Sequence, residues 1–189
     1  MKSNHALRLS VSGLLIAVGI AIPMFSPFKI ILGPASFTLA SHVAIFIAMF
    51  ISPYMAISVT IGTTIGFFFG GFPLVIVLRA ASHIIFVIAG ALFLKKFYVA
   101  TLSAIKLRIF SFFIALLHGF CELIVVSVFY FGGYMSAAFY QSGFFLSIIL
   151  LVGLGTVVHS MIDFEIAYAI GKNVPALLQN RQSLQAAKG

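Results

Sequence analysis

The sequence predicts an all-α integral membrane protein: one compact bundle of six transmembrane helices over residues 1–189, with both termini cytoplasmic. Three observations carry that prediction. Hydrophobic residues make up 62% of the chain and charged residues 7%, with a mean hydropathy of +1.23, so a soluble fold would lack the polar surface it needs. Apolar runs recur at the length that crosses a bilayer, about 20 residues for roughly 30 Å of hydrocarbon. Cut at those runs, the basic residues sort by membrane side.

The first span is Arg8 to Phe25. Its basic start and apolar stretch resemble a signal peptide, but no small-residue cleavage pattern follows cleanly, so it is read as a retained helix. The second and third spans, Phe37 to Ile51 and Tyr54 to Phe69, are separated only by Ser52 and Pro53. Proline cannot continue an unbroken helix, so these two runs form a tight helical hairpin. The remaining spans are Phe72 to Leu94, Ile109 to Phe131 and Gly143 to Gly171.

With the N-terminus inside, Lys2, Arg8, Lys95, Lys96, Lys106, Arg108, Lys172, Arg181 and Lys188 are all cytoplasmic. Only Lys29 in an outside loop and Arg79 within a span depart from the positive-inside rule. The formal charge of +8 therefore reads as contact with anionic lipid headgroups. No dense basic stripe or reading motif suggests nucleic acid. The single cysteine, Cys121, excludes an internal disulfide and a Cys-based zinc motif, and is assigned to packing. A nucleotide-binding loop of the form G-x-x-x-x-G-K-[ST] is absent from the sequence, so if transport is active the motor is another protein. No metal and no cofactor bound by this chain is expected.

Gly13, Ala17 and Ala21 recur every four residues on the first span, a face that a helix can approach closely. It serves either internal packing or docking of a partner. Gly62, Gly66 and Gly70 repeat the spacing on the third span and are assigned to internal packing.

Ionisable groups inside a bilayer cost about 2.5 to 3.5 kcal/mol each on insertion scales and face a bundle interior or a watery cavity. Here they come in pairs one helical turn apart: Arg79 with His83, His118 with Glu122, and His159 with Asp163. At 1.5 Å per residue, Arg79 lies roughly 10 Å deep, Glu122 roughly 13 Å, His83 roughly 16 Å, His118 roughly 20 Å and His42 roughly 9 Å. These five residues are the candidate lining of a pocket open to the outside. His159, Asp163 and Glu165 fall in the inward half of their span and are assigned a separate role, bundle cross-linking or partner contact. Arg79 and Glu122 are either a structural ion pair or a site in which Arg79 offers a planar fork to a carboxylate and Glu122 or a histidine holds a ring nitrogen or hydroxyl. Phe37, Tyr130, Tyr134 and Tyr140 are read as interface anchors. The loop with Pro23, Pro27, Lys29, Gly33 and Pro34 is placed to cap the pocket.

The six-span layout, Ala17-x-x-x-Ala21, and the apolar loop Ile-Ile-Leu-Gly-Pro-Ala at 30–35 resemble the substrate-binding S components of energy-coupling factor (ECF) vitamin transporters. The stretches at 27–42, Pro-Phe-Lys-Ile-Ile-Leu-Gly-Pro-Ala-Ser-Phe-Thr-Leu-Ala-Ser-His, and at 77–83, Val-Leu-Arg-Ala-Ala-Ser-His, look most like the niacin-specific members. The resemblance implies high-affinity capture of a vitamin outside the cell, with niacin (nicotinate) as the expected substrate. It also implies docking through the first span, where Ala17 and Ala21 match the pattern and Gly13 extends it, onto a transmembrane coupling subunit. Two cytoplasmic ATPases would use ATP to drive inward release. Pantothenate or another small vitamin remains an alternative substrate, and a self-sufficient ion-coupled carrier an alternative machine. An enzyme is not expected: the sequence has neither H-E-x-x-H nor G-x-S-x-G.

Overall fold

The computed structural model describes residues 2–32, 35–97 and 102–173. Gly33 and Pro34, and the tail with Arg181 and Lys188, lie outside the described residues. Within them the chain runs α1 (Lys2–Phe25), β1 (Lys29–Leu32), β2 (Ala35–Thr38), α2 (Val43–Ile51), α3 (Pro53–Phe69), α4 (Leu74–Lys96), α5 (Ala104–Phe131), the short α6 (Ala137–Gln141) and α7 (Phe145–Asn173). The first ten residues of α7, Phe145–Leu154, are wound as π-helix. β1 and β2 form an antiparallel hairpin that pairs Lys29 with Thr38 and Ile30 with Phe37. It is the one departure from the all-α expectation among the described residues.

α1 packs on α3, α3 on α4, α4 on α5 and α5 on α7, while α2 touches α1, α3, α4 and α7. α1, α4, α5 and α7 are each long and apolar enough to cross a membrane, and α3, with 17 residues, is at the lower limit of that length. Phe25, Phe69, Phe113 and Phe131 all point out of the bundle. A surface that apolar needs lipid or a partner to cover it.

The expected second span, 37–51, is not one helix. It is the end of β2, a turn, and a nine-residue α2 that rises only roughly 13 Å. Val43 through Phe50 are all buried, so α2 belongs to the bundle core, where interrupted backbone at membrane depth is tolerated because protein covers it. The hairpin at Ser52 and Pro53 forms as expected: Pro53 opens α3 and Ser52 Oγ accepts from Met55 N–H at 3.1 Å.

Small residues set the closest helix approaches. Ile16 and Ile20 of α1 fill the space where Gly62 and Gly66 lack side chains, so the third-span stripe is internal packing. Where α5 meets α7, a Cβ on Gly119 would stand 3.1 Å from the Gly153 carbonyl oxygen and 3.0 Å from Val157 Cγ2. Gly119→Leu is therefore expected to force the two helices apart at a cost of about 1–3 kcal/mol, read as a lowered thermal midpoint in detergent. An unchanged midpoint would show that this crossing is not tight.

Candidate functional site

The polar residues of five different segments meet where α2 begins. Asp163, on α7, accepts the Ala40 N–H at 2.7 Å and the His42 N–H at 2.9 Å, so a carboxylate from another helix caps the N-terminus of α2. Ala40 takes a left-handed conformation (φ 68°), a strain of order 1–2 kcal/mol for a residue with a Cβ. The bond to Asp163 holds it there. Asp163 Oδ2 also meets His42 Nδ1 at 3.0 Å and His159 Nε2 at 3.3 Å. Ser41 Oγ bridges the same two rings at 3.1 and 3.0 Å.

Glu122, on α5, anchors the other half. Arg79 Nη2 donates to its Oε2 at 2.7 Å, and Thr156 Oγ1 donates to that oxygen at 2.7 Å. Its Oε1 lies 3.2 Å from His83 Nε2 and 3.4 Å from His118 Nε2. The carboxylate is buried and fully engaged, and a planar guanidinium held by a fixed carboxylate is oriented as well as charged.

Both halves border one cavity of about 240 Å³. Arg79, His42, His83 and His159 line it together with Phe37, Phe67 and Phe72, and the Phe37 ring lies 5.5 Å from that of His159. Phe37 is buried and enters because Gly155 has no side chain: a Cβ there would stand 2.6 Å from the Phe37 ring. Its expected role as an interface anchor is thus corrected. Tyr130 and Tyr140 pack against each other with their rings tilted by 42° and centroids 4.8 Å apart, and Tyr134 is exposed. Pro23 and Lys29 of the loop also line the cavity. Two groups of its wall, Arg79 Nε and Thr63 Oγ1, are buried without a hydrogen-bond partner.

All five residues expected to share a site, Arg79, His83, Glu122, His118 and His42, come together, although His118 stands behind the cavity wall against Phe86. His159, expected to stand apart, instead lines the cavity from the midpoint of α7, while Asp163, which does not line it, ties α7 to the start of α2. His42 is not on a helix entering from the surface but at the buried start of α2, and reaches the same depth. Glu165 does stand apart, in an exposed pair with Arg108 at 3.2 Å. Thr156, one turn before His159, and Ser41 are site residues that sequence reasoning misses. Thr156 has a signal, its spacing of three from His159 on one helical face.

A bundle of apolar helices around a cavity with a charged, hydrogen-bonding wall defines a multi-pass membrane protein. Over 170 residues, 90% of this chain and 75% of the relative, the sequence is 43% identical to the niacin transporter NiaX of Lactococcus lactis subsp. cremoris (strain MG1363). The chain belongs to the family of that transporter, the one its motifs resemble. No family model and no solved structure matches it.

Proposed function

We propose that this protein captures nicotinate in the central cavity as the S component of an ECF-type importer. The carrying observation is the wall itself: a guanidinium held by Glu122, with its Nε buried and unpartnered, borders a cavity that is also lined by the rings of Phe37, Phe67 and Phe72. Buried polar groups without partners call for one, and a flat aromatic carboxylate supplies it. Arg79 pairs with the carboxylate, Phe37, Phe67 and Phe72 cover the ring, and the imidazoles of His42 and His83 meet the ring nitrogen. Glu122 positions Arg79 and His83, and His118 stands behind them. The cavity is below the ~300–1,000 Å³ of drug-sized sites, which favours nicotinate over pantothenate or a larger vitamin.

Six crossings with both termini cytoplasmic, the second made by β2, the following turn and α2 together and the third by α3, put the β-hairpin on the outside. Nine of the eleven basic residues support that orientation. Transport then requires a coupling subunit and two ATPases. Gly13, Ala17 and Ala21 are exposed, with nothing within 4 Å of a Cβ on Gly13, while the opposite face of α1 packs on α3. The stripe therefore takes the docking role.

Equilibrium binding to the purified protein tests the ligand. Nicotinate is expected to bind at submicromolar concentration. Nicotinamide, which loses a charge-assisted hydrogen bond of about 1.5–3 kcal/mol, should bind roughly 10- to 100-fold more weakly. Equal binding of the two would remove the carboxylate contact, and no binding of either would remove niacin.

A further inference from the structure

Three histidines from three helices meet edge to edge in the bundle: His42 at the start of α2, His83 on α4 and His118 on α5. Their ring centroids are 4.9 Å apart for His42 and His83, 4.7 Å for His42 and His118, and 4.6 Å for His83 and His118. Each offers a ring nitrogen within 4.8 Å of the other two. All three are buried; His118 Nδ1 has no hydrogen-bond partner and its Nε2 has only a long contact with Glu122 Oε1 at 3.4 Å. Packing alone gives no reason to crowd three imidazoles and leave one unsatisfied, since a buried polar group without a partner costs free energy.

We propose that His42, His83 and His118 bind one first-row divalent transition cation, of which zinc is the probe, and that the cation completes the nicotinate site. Three imidazoles at one tetrahedral centre, with metal–nitrogen distances of roughly 2.0–2.1 Å, hold their nitrogens roughly 3.4 Å apart. The observed triangle closes on that arrangement by small ring movements. The orienting shell is already built: Asp163 engages His42 Nδ1 at 3.0 Å, leaving Nε2 for the cation, as a carboxylate behind a metal-bound histidine does. A second grouping, His42, His159 and Asp163, is the weaker site, because Asp163 is already committed to two backbone amides and His42.

Charge points the same way. With neutral, ligating imidazoles, the buried groups, apart from the exposed Lys29 that also lines the cavity, hold the Arg79 cation against the Glu122 and Asp163 carboxylates, one negative charge in excess. A divalent cation reverses that excess, and a bound nicotinate cancels it. His42 and His83 line the cavity, so the fourth position of a three-histidine site opens toward the ligand. A pyridine nitrogen resembles imidazole as a donor and suits the same metals. This inference rests on the nicotinate reading for its ligand, but not for its metal.

The full-length protein, purified in detergent and stripped with a chelator, is titrated with zinc alone and with cobalt(II) alone. One equivalent per chain is expected, with the visible cobalt spectrum of a four-coordinate, nitrogen-rich site. His118→Phe, which keeps the stack on Phe86 at 4.4 Å, should lower zinc affinity by at least about 100-fold, beyond the ~10–100-fold cost of losing only an orienting partner. Glu165→Gln, in the distant exposed pair, should keep one equivalent. Nicotinate affinity of the stripped protein should fall at least tenfold and recover with zinc. Failure of folded wild-type protein to take up zinc or cobalt overturns the proposal, as does wild-type zinc affinity in His118→Phe. Undiminished nicotinate binding in the stripped protein overturns the metal's part in the ligand site while the nicotinate reading stands. Tight zinc binding without nicotinate binding upholds the metal site and sinks the nicotinate reading.

Discussion

Arg79→Ala should abolish high-affinity nicotinate binding, a loss of about 100- to 1,000-fold. A paired charge-assisted contact contributes about 3–4 kcal/mol, and each 1.4 kcal/mol is a factor of ten. The same substitution leaves Glu122 buried with only Thr156 and histidines around it, and breaking a buried pair destabilises by about 3–5 kcal/mol. Loss of binding in that variant alone is therefore ambiguous. Arg79→Ala combined with Glu122→Gln removes the unpaired charge and separates the two roles. The double variant should regain the wild-type thermal midpoint and still not bind. Arg79→Lys keeps the charge without the planar fork and should bind with intermediate affinity. A folded Arg79→Ala protein that binds nicotinate as tightly as the wild type would make the ion pair purely structural.

Ala17→Trp should reduce uptake in cells to background while ligand binding stays within about twofold, the range of a surface substitution. Ala17 is exposed on α1, on the side of the helix opposite Leu15 and Gly19, which pack into the bundle. A large side chain there meets no part of the bundle. It does block the close approach of another helix, which small residues permit. Normal uptake by Ala17→Trp would leave the stripe without a docking role, and loss of binding together with uptake would place Ala17 in the fold of the protein itself.

The pairing of Arg79 with Glu122 is legible in the amino-acid sequence, because polar groups one turn apart on apolar helices must find each other or water. Counting inward along a helix puts Arg79, His83, His118 and Glu122 at depths that overlap, and they do meet. The same counting misses that His159 joins them, and it reaches His42 by the wrong route. It assumes that residues 37–51 form a continuous helix entering from the surface, and it assigns His159 to the inward half of a span whose expected and observed ends differ by only two residues. A hairpin, a left-handed Ala40 and a short buried helix replace that first assumption, and none of them disturbs hydrophobicity enough to be seen.

By itself, the sequence determined the membrane environment, the four long apolar helices and the identity of the polar residues that need company, because hydrocarbon penalises each exposed charge and backbone group locally, residue by residue. The tertiary structure alone decided that His159 shares the site with His42 and His83, that Asp163 caps α2 across 121 residues of chain, and that Phe37 turns inward over Gly155. Those outcomes depend on where a broken segment re-enters the bundle and on how closely two backbones approach. Both are properties of packing between distant segments, which local hydrophobicity and spacing do not encode.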